Sequence, residues 1–184
     1  MYNIVHRKAK NHQLMNRRPN ANEYNPYYET YIGKVGEGNI LTILSQQAQD
    51  IAAFFRGLPT DRWDYRYADD KWTIKEVLLH IIDTERIFAY RALRVGRGDS
   101  TPLPGFDQDP YVITAGANAR TAESLVAEFE AVRAASLALF KHLPAKAWEE
   151  LGTASDSPTT PLAIAYIIAG HELHHVKIIK ERYL

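Results

Sequence analysis

Four stretches of this chain repeat apolar side chains at intervals of three and four residues, the spacing that gathers one stripe along an α-helix. The first runs from about Asn39 to Arg56 and carries Ile40, Ile43, Leu44, Ala48, Ile51, Phe54 and Phe55. Asn39 can cap its start, and Gly57 followed by Leu58-Pro59 stops it. The second opens on Thr73-Ile74-Lys75-Glu76, a capping box in which the threonine and the glutamate satisfy each other's end amides. Its stripe of Ile74, Val77, Leu78, Ile81, Phe88 and Ala92 leads to an end at Gly96. The third starts near Thr121, carries Leu125, Val126, Phe129, Val132, Ser136, Leu139 and Phe140, and ends before Pro144. The fourth has Thr160 as its cap and Pro161 at the first helical position, where a missing N–H costs nothing, and runs to the C-terminus. No segment alternates convincingly as a strand. The pattern predicts an all-α fold, a four-helix bundle.

Two connections do not fit a minimal bundle. Asn20 to Gly38 is rich in tyrosine (Tyr24, Tyr27, Tyr28, Tyr31), has no steady period, and reads as an ordered arm laid over the domain. The stretch from Gly96 to Asn118 is too long for a bundle turn and contains Pro102, Pro104, Phe106, Asp107, Gln108, Asp109, Pro110 and Tyr111. Loops of that length are usually functional or disordered, and the prolines and aromatics predict an ordered lid or pocket wall. Before the arm, Arg7, Lys8, Lys10, Arg17 and Arg18 stand without an acid and without interleaved aromatics, which reads as a disordered basic leader. The expected division is a leader over 1–18, the arm over 19–38 and the bundle over 39–184.

Composition narrows the chemistry. The 184 residues suffice for one domain with its own core. Lys+Arg and Asp+Glu balance at 22 each, so the total charge does not call for nucleic acid or a membrane surface. No apolar run approaches the ~20 residues of a bilayer span, and no apolar segment follows the basic leader as in a secretory signal. The expectation is a soluble cytoplasmic protein. The chain has no cysteine, so it can form no disulfide, thiolate ligand or cysteine nucleophile, and a metal must be held by histidine and carboxylate.

The strongest chemical signal is Gly170-His171-Glu172-Leu173-His174-His175 in the fourth helical stretch. His171 and His175 are one turn apart on the face that carries Ile164, Ile167, Ile168 and Ile178. That spacing lets two imidazoles meet on one metal ion; two separately satisfied core histidines are the alternative. The same residues fit the H-E-x-x-H pattern of zinc peptidases, with Glu172 as general base. The customary downstream third ligand is missing, however, and Glu181 is the sole acid after His175. His174 is turned away from His171 by the helical period and reads as a pocket-wall residue. His80 lies at the edge of the second helix's apolar stripe, where a bundle can bring it opposite the fourth helix. His142 sits at a helix C-terminus, where a cation is favoured.

Trp72-Thr73, Glu76, His80 and Asp83 resemble the W-[ST]-x-x-E-x-x-x-H-x-x-[DE] signature of the DinB/YfiT-like superfamily, which is unrelated in function to the DNA polymerase that shares the name. His171 and His175 resemble its second motif, H-x-x-x-H, and the likeness extends from about Gly36 to Leu184. It implies a four-helix bundle with a divalent metal, zinc or nickel, on His80, His171 and His175. It further implies an enzyme acting on a small molecule, either a transferase using a low-molecular-weight thiol or a hydrolase using water. A non-catalytic metal- or ligand-binding bundle and the zinc peptidase remain as other readings. Asp83 or Glu85 could orient a ligand imidazole or form a salt bridge on the helix face. The wide apolar surface of the last helix, including Leu173, Val176, Ile179 and Tyr183, points to a homodimer unless the arm covers it.

Overall fold

Each of the four long helices begins on a side chain that satisfies its free end amides. In the computed structural model, which describes residues 15–184, these helices are α2 (Ile40–Arg56), α3 (Ile74–Gly96), α5 (Ala122–Lys141) and α6 (Pro161–Arg182). Asn39, Thr73, Thr121 and Thr160 accept hydrogen bonds from backbone amides in the first turns, and at α3 the Thr73–Glu76 capping box closes in both directions. Among the described residues two short helices, α1 (Glu29–Ile32) in the arm and α4 (Gln108–Thr114) in the long loop, complete the α-helical set, and four short 3-10 turns lie before and between the α-helices. Among the described residues no helix is long and apolar enough to cross a membrane.

The bundle has a diagonal connectivity. α2 packs against α5 and α6, and α3 packs against the same two helices. Chain neighbours α2 and α3 therefore face each other across the bundle, as do α5 and α6. One apolar core gathers Leu44, Phe88, Phe140, Trp148, Leu162 and Tyr166, and a second gathers Phe55, Trp63, Leu78, Phe129, Val176 and Ile179. Between the two cores lies a layer of buried polar side chains: Gln47, His80, Glu85, Arg133, His171 and Glu172.

The sequence pattern predicts no strands, whereas the described residues include one antiparallel hairpin of β1 (Gly152–Ala154) and β2 (Ser157–Thr159). Three-residue strands are too short to show an alternation. Ser155 and Asp156 turn the hairpin with φ of 51° and 56°, the positive values a type I′ turn requires. The hairpin presses on α3 at Gly152, where a Cβ would come within 2.4 Å of a Val95 methyl. It also pairs with Leu103, anchoring the base of the long loop.

Residues 1–14 of the basic leader lie outside the described residues. Met15 is buried, Arg17 pairs with Glu23 at 2.7 Å, and Arg18 donates to the Ile32 and Val35 carbonyls at 2.6 and 2.9 Å. The arm lies along α6. Val176, Ile179 and Tyr183 are themselves buried against Trp63, Val77 and their neighbours. The apolar surplus on α6 that motivated a homodimer is thus largely absorbed within one chain.

Candidate metal centre

α3 and α6 run side by side, and their facing surfaces carry the three histidines. His171 Nε2 lies 3.0 Å from His80 Nε2 and 3.0 Å from His175 Nε2. One ligand atom from each of the three rings falls within 4.8 Å of the others. The tryptophan that opens the upstream motif packs on the first of them, with Trp72 and His80 ring centroids 4.9 Å apart. Thr84, one turn after His80, places Oγ1 3.5 Å from His80 Nδ1, at the long limit of a hydrogen bond.

Burial pushes His80 down to about 4. His171 is held well below the usual histidine value by burial first, then by the neighbouring His175, His80 and His174. His175 follows for the same reason, burial first and then His80 and His174. At neutral pH all three rings are uncharged. A neutral imidazole has one N–H and one lone pair, so three Nε2 atoms meeting at one point cannot all be satisfied by hydrogen bonds among themselves. They do suit a metal ion: tetrahedral zinc with Zn–N of about 2.0–2.1 Å places its nitrogens about 3.3 Å apart. The donor set fits a divalent cation. His174 is outside the cluster, half-buried with its ring 5.3 Å from that of Tyr31, and His142 caps the end of α5.

Glu172 points elsewhere. It is fully buried and meets Arg133 of α5, with Oε2 2.6 Å from the guanidinium. Arg133 also takes both carboxylate oxygens of Glu85 at 2.9 Å and donates to the Leu44 carbonyl of α2 at 3.3 Å, so one guanidinium joins all four helices. Burial works to lower the Arg133 pKa, but Glu172 and Glu85 outweigh it and raise it above the ordinary arginine value. Burial raises Glu172 to about 7 against the pull of Arg133. A carboxylate locked in this way is not available as the base of a peptidase. Neither acid considered for orienting an imidazole does so: Glu85 belongs to Arg133, and Asp83 faces Arg86 at 3.5 Å.

The long loop lines the site, as its length and composition predicted. Phe106, Asp107 and Gln108 share a cleft of about 270 Å³ with His80 and His171. Asp109 lines a second cleft with His175 and Trp72. The loop contains the short helix α4, which the sequence pattern does not announce because Pro110 interrupts it; Asp107 caps it by accepting from the Asp109 amide at 3.1 Å. Asn118, at the loop's far end, donates to Glu76 at 2.8 Å and accepts from Thr73 at 2.7 Å, which ties the loop to the start of α3.

Sequence reasoning missed Arg133 and Tyr31. Arg133 stands four residues after Phe129 and seven before Phe140, on the buried face of α5, so a charge on an apolar stripe was the readable signal. Tyr31 approaches His171 edge to face at 5.3 Å, a contact between distant segments that no local pattern announces.

No curated protein matches this chain in sequence. Among solved structures it is similar to YfiT from Bacillus subtilis, described as a probable metal-dependent hydrolase with an unusual four-helix bundle topology. The match has a TM-score of 0.67 at 14% identity and covers 94% of either chain. At that identity the likeness establishes the fold. The DinB superfamily matches residues 43–179, a span that holds all three histidines and both charged partners of Arg133, and the chain belongs to this family.

Proposed function

We propose that His80, His171 and His175 hold one divalent metal ion and that the protein is a metal-dependent enzyme acting on a small molecule. The convergence of three desolvated, neutral imidazoles at 3.0 Å beside an open cleft carries this reading. Zinc or nickel bound there would supply a Lewis acid, able to lower the pKa of water from 15.7 to about 7 or to stabilise a thiolate. Hydrolysis is the leading reaction class, in keeping with the description of the structurally similar YfiT. Transfer from a low-molecular-weight thiol is the second, because the chain has no cysteine and the sulfur would have to arrive with a cosubstrate.

The chain's own residues would bind and orient. Burial keeps the ligand imidazoles deprotonated at neutral pH, Trp72 and Thr84 hold the His80 ring, and Phe106, Asp107 and Gln108 bound the space from which a substrate reaches the histidines. Elemental analysis of untagged protein tests the ligand set. Alanine at His80, His171 or His175 is expected to abolish stoichiometric metal while His174→Ala keeps it. The reverse result for His80 and His174 would overturn the assignment. A panel of ester, amide and electrophile substrates, with and without added thiol, then separates hydrolase from transferase.

A further inference from the structure

The outer wall of the cleft comes from before the family match, which begins at residue 43. Tyr27, Tyr28 and Tyr31 of the arm line the same cleft as His80 and His171, together with Phe88 of α3 and Phe106 of the long loop. The rings meet at edges: Tyr28 and Phe88 centroids are 5.8 Å apart at 90°, and Tyr27 and Tyr31 are 5.8 Å apart at 84°. The Tyr27 and Tyr31 hydroxyls are 3.1 Å apart. Burial, and for Tyr31 then its hydrogen bond to Tyr27, raises the Tyr28 and Tyr31 phenols above the usual value, so both stay neutral. A charge does stand close to these rings: the Arg91 guanidinium neighbours Tyr28 and lies 5.1 Å and 5.8 Å from the Phe88 and Phe106 ring centres.

The arm's position is built in rather than incidental. Where it crosses α6 the residue is Gly170, and a Cβ there would lie 2.0 Å from the Tyr31 carbonyl oxygen. Backbone therefore touches backbone one residue before His171. Arg18 holds the Ile32 and Val35 carbonyls, and Asn25 donates to Ser157 of the hairpin at 2.7 Å. An arm that merely shielded an apolar helix face could sit further out on ordinary side chains. This one is drawn in until its tyrosines stand beside the histidines.

We propose that the arm is a wall of the substrate cleft, and that the substrate is a flat-ringed small molecule. Its ring packs against Tyr28, Tyr31, Phe88 and Phe106, and its reacting group faces His80 and His171. The inference rests on the metal reading above for what the reacting group meets. Aromatic walls from three separate elements offer ring edges and faces to a planar guest, which gains a directional attraction that an aliphatic chain of equal area does not.

Benzohydroxamate and acetohydroxamate share one metal-chelating head, and only the first has a ring. Cobalt-loaded protein is titrated with each and read by its visible absorption. We expect benzohydroxamate to bind at least tenfold more tightly. The Tyr28→Leu/Tyr31→Leu double variant, and separately Gly170→Ala, should bring the ratio to within threefold while cobalt content and acetohydroxamate affinity hold. An unchanged ratio in the variants overturns the proposal. Tyr28→Leu alone replaces the double variant if the latter does not fold. Benzamide binding to metal-free protein, followed by ligand-observed NMR, gives a readout independent of metal. Should the protein take up no cobalt, the metal reading fails and benzamide decides: binding that is lost in the variants supports the aromatic wall, and binding that is absent or unaffected overturns it.

Discussion

The Arg133–Glu85–Glu172 cluster and the three-histidine cluster occupy the same layer of the bundle and both draw side chains from α3 and α6, with Glu172 directly following His171. The first is closed. One guanidinium is shared by two carboxylates and a carbonyl, and no side-chain atom of the three residues is left buried without a partner. The second is open. Its Nε2 atoms point at one another rather than at complementary groups, and clefts reach it from two sides. Charges that neutralise each other join the helices; neutral donors left facing one another make a place for something else. The H-E-x-x-H stretch contributes to both, because successive residues on a helix are turned about 100° apart.

Arg133→Met breaks the closed cluster and should have the largest effect. Two buried carboxylates would lose their counter-charge, a loss of about 3–5 kcal/mol in unfolding free energy by urea titration. A cost below about 1 kcal/mol would show that the carboxylates are already protonated and that the cluster is not ionic.

The open cluster should respond to pH instead. The folded protein holds His80 at about 4, whereas an unfolded chain binds that proton near 6.5. Unfolding therefore takes up a proton between these values, and metal-free protein loses stability as pH falls through the window. His80 alone accounts for roughly 3 kcal/mol between pH 7 and 4. In His80→Ala the slope of stability against pH should be correspondingly shallower; an identical slope would mean that the imidazole is not desolvated.

Smaller changes sharpen the boundary between the two. Glu172→Gln keeps the shape of the closed cluster and weakens a charge-assisted bond, with an expected cost of about 1–2 kcal/mol. Metal content should be unchanged, and its loss would mean that Glu172 serves the histidines after all. Thr84→Val removes the group beside His80 Nδ1; at 3.5 Å the contact is long, and the expected loss of metal affinity is about tenfold, the lower end for such partners. Calorimetric titration of zinc into the metal-free variant measures it.

Local features were legible because their causes lie within a few residues. The four caps and the ends of the long helices follow from side chains three or four positions away, and the structure places them where Asn39, Thr73, Thr121 and Thr160 predict. The His171–His175 pairing follows from helical spacing alone. His80 as third member needed the resemblance, since nothing local tells which helix α3 will face. The direction of Glu172 was ambiguous for the same reason: its role depends on Arg133, 39 residues away along the chain. The hairpin escaped notice because three residues per strand carry no period.

By itself, then, the sequence determined an all-helical bundle, its caps, the stripe on each helix, and two imidazoles a turn apart on an apolar face. Only the tertiary structure decided the diagonal arrangement that puts α3 beside α6, the capture of Glu85 and Glu172 by Arg133, and the seating of the tyrosine arm on Gly170. The reason is physical. Capping and periodicity are set by backbone geometry over one or two turns, whereas these contacts join residues tens to more than a hundred positions apart and exist only once the cores have packed.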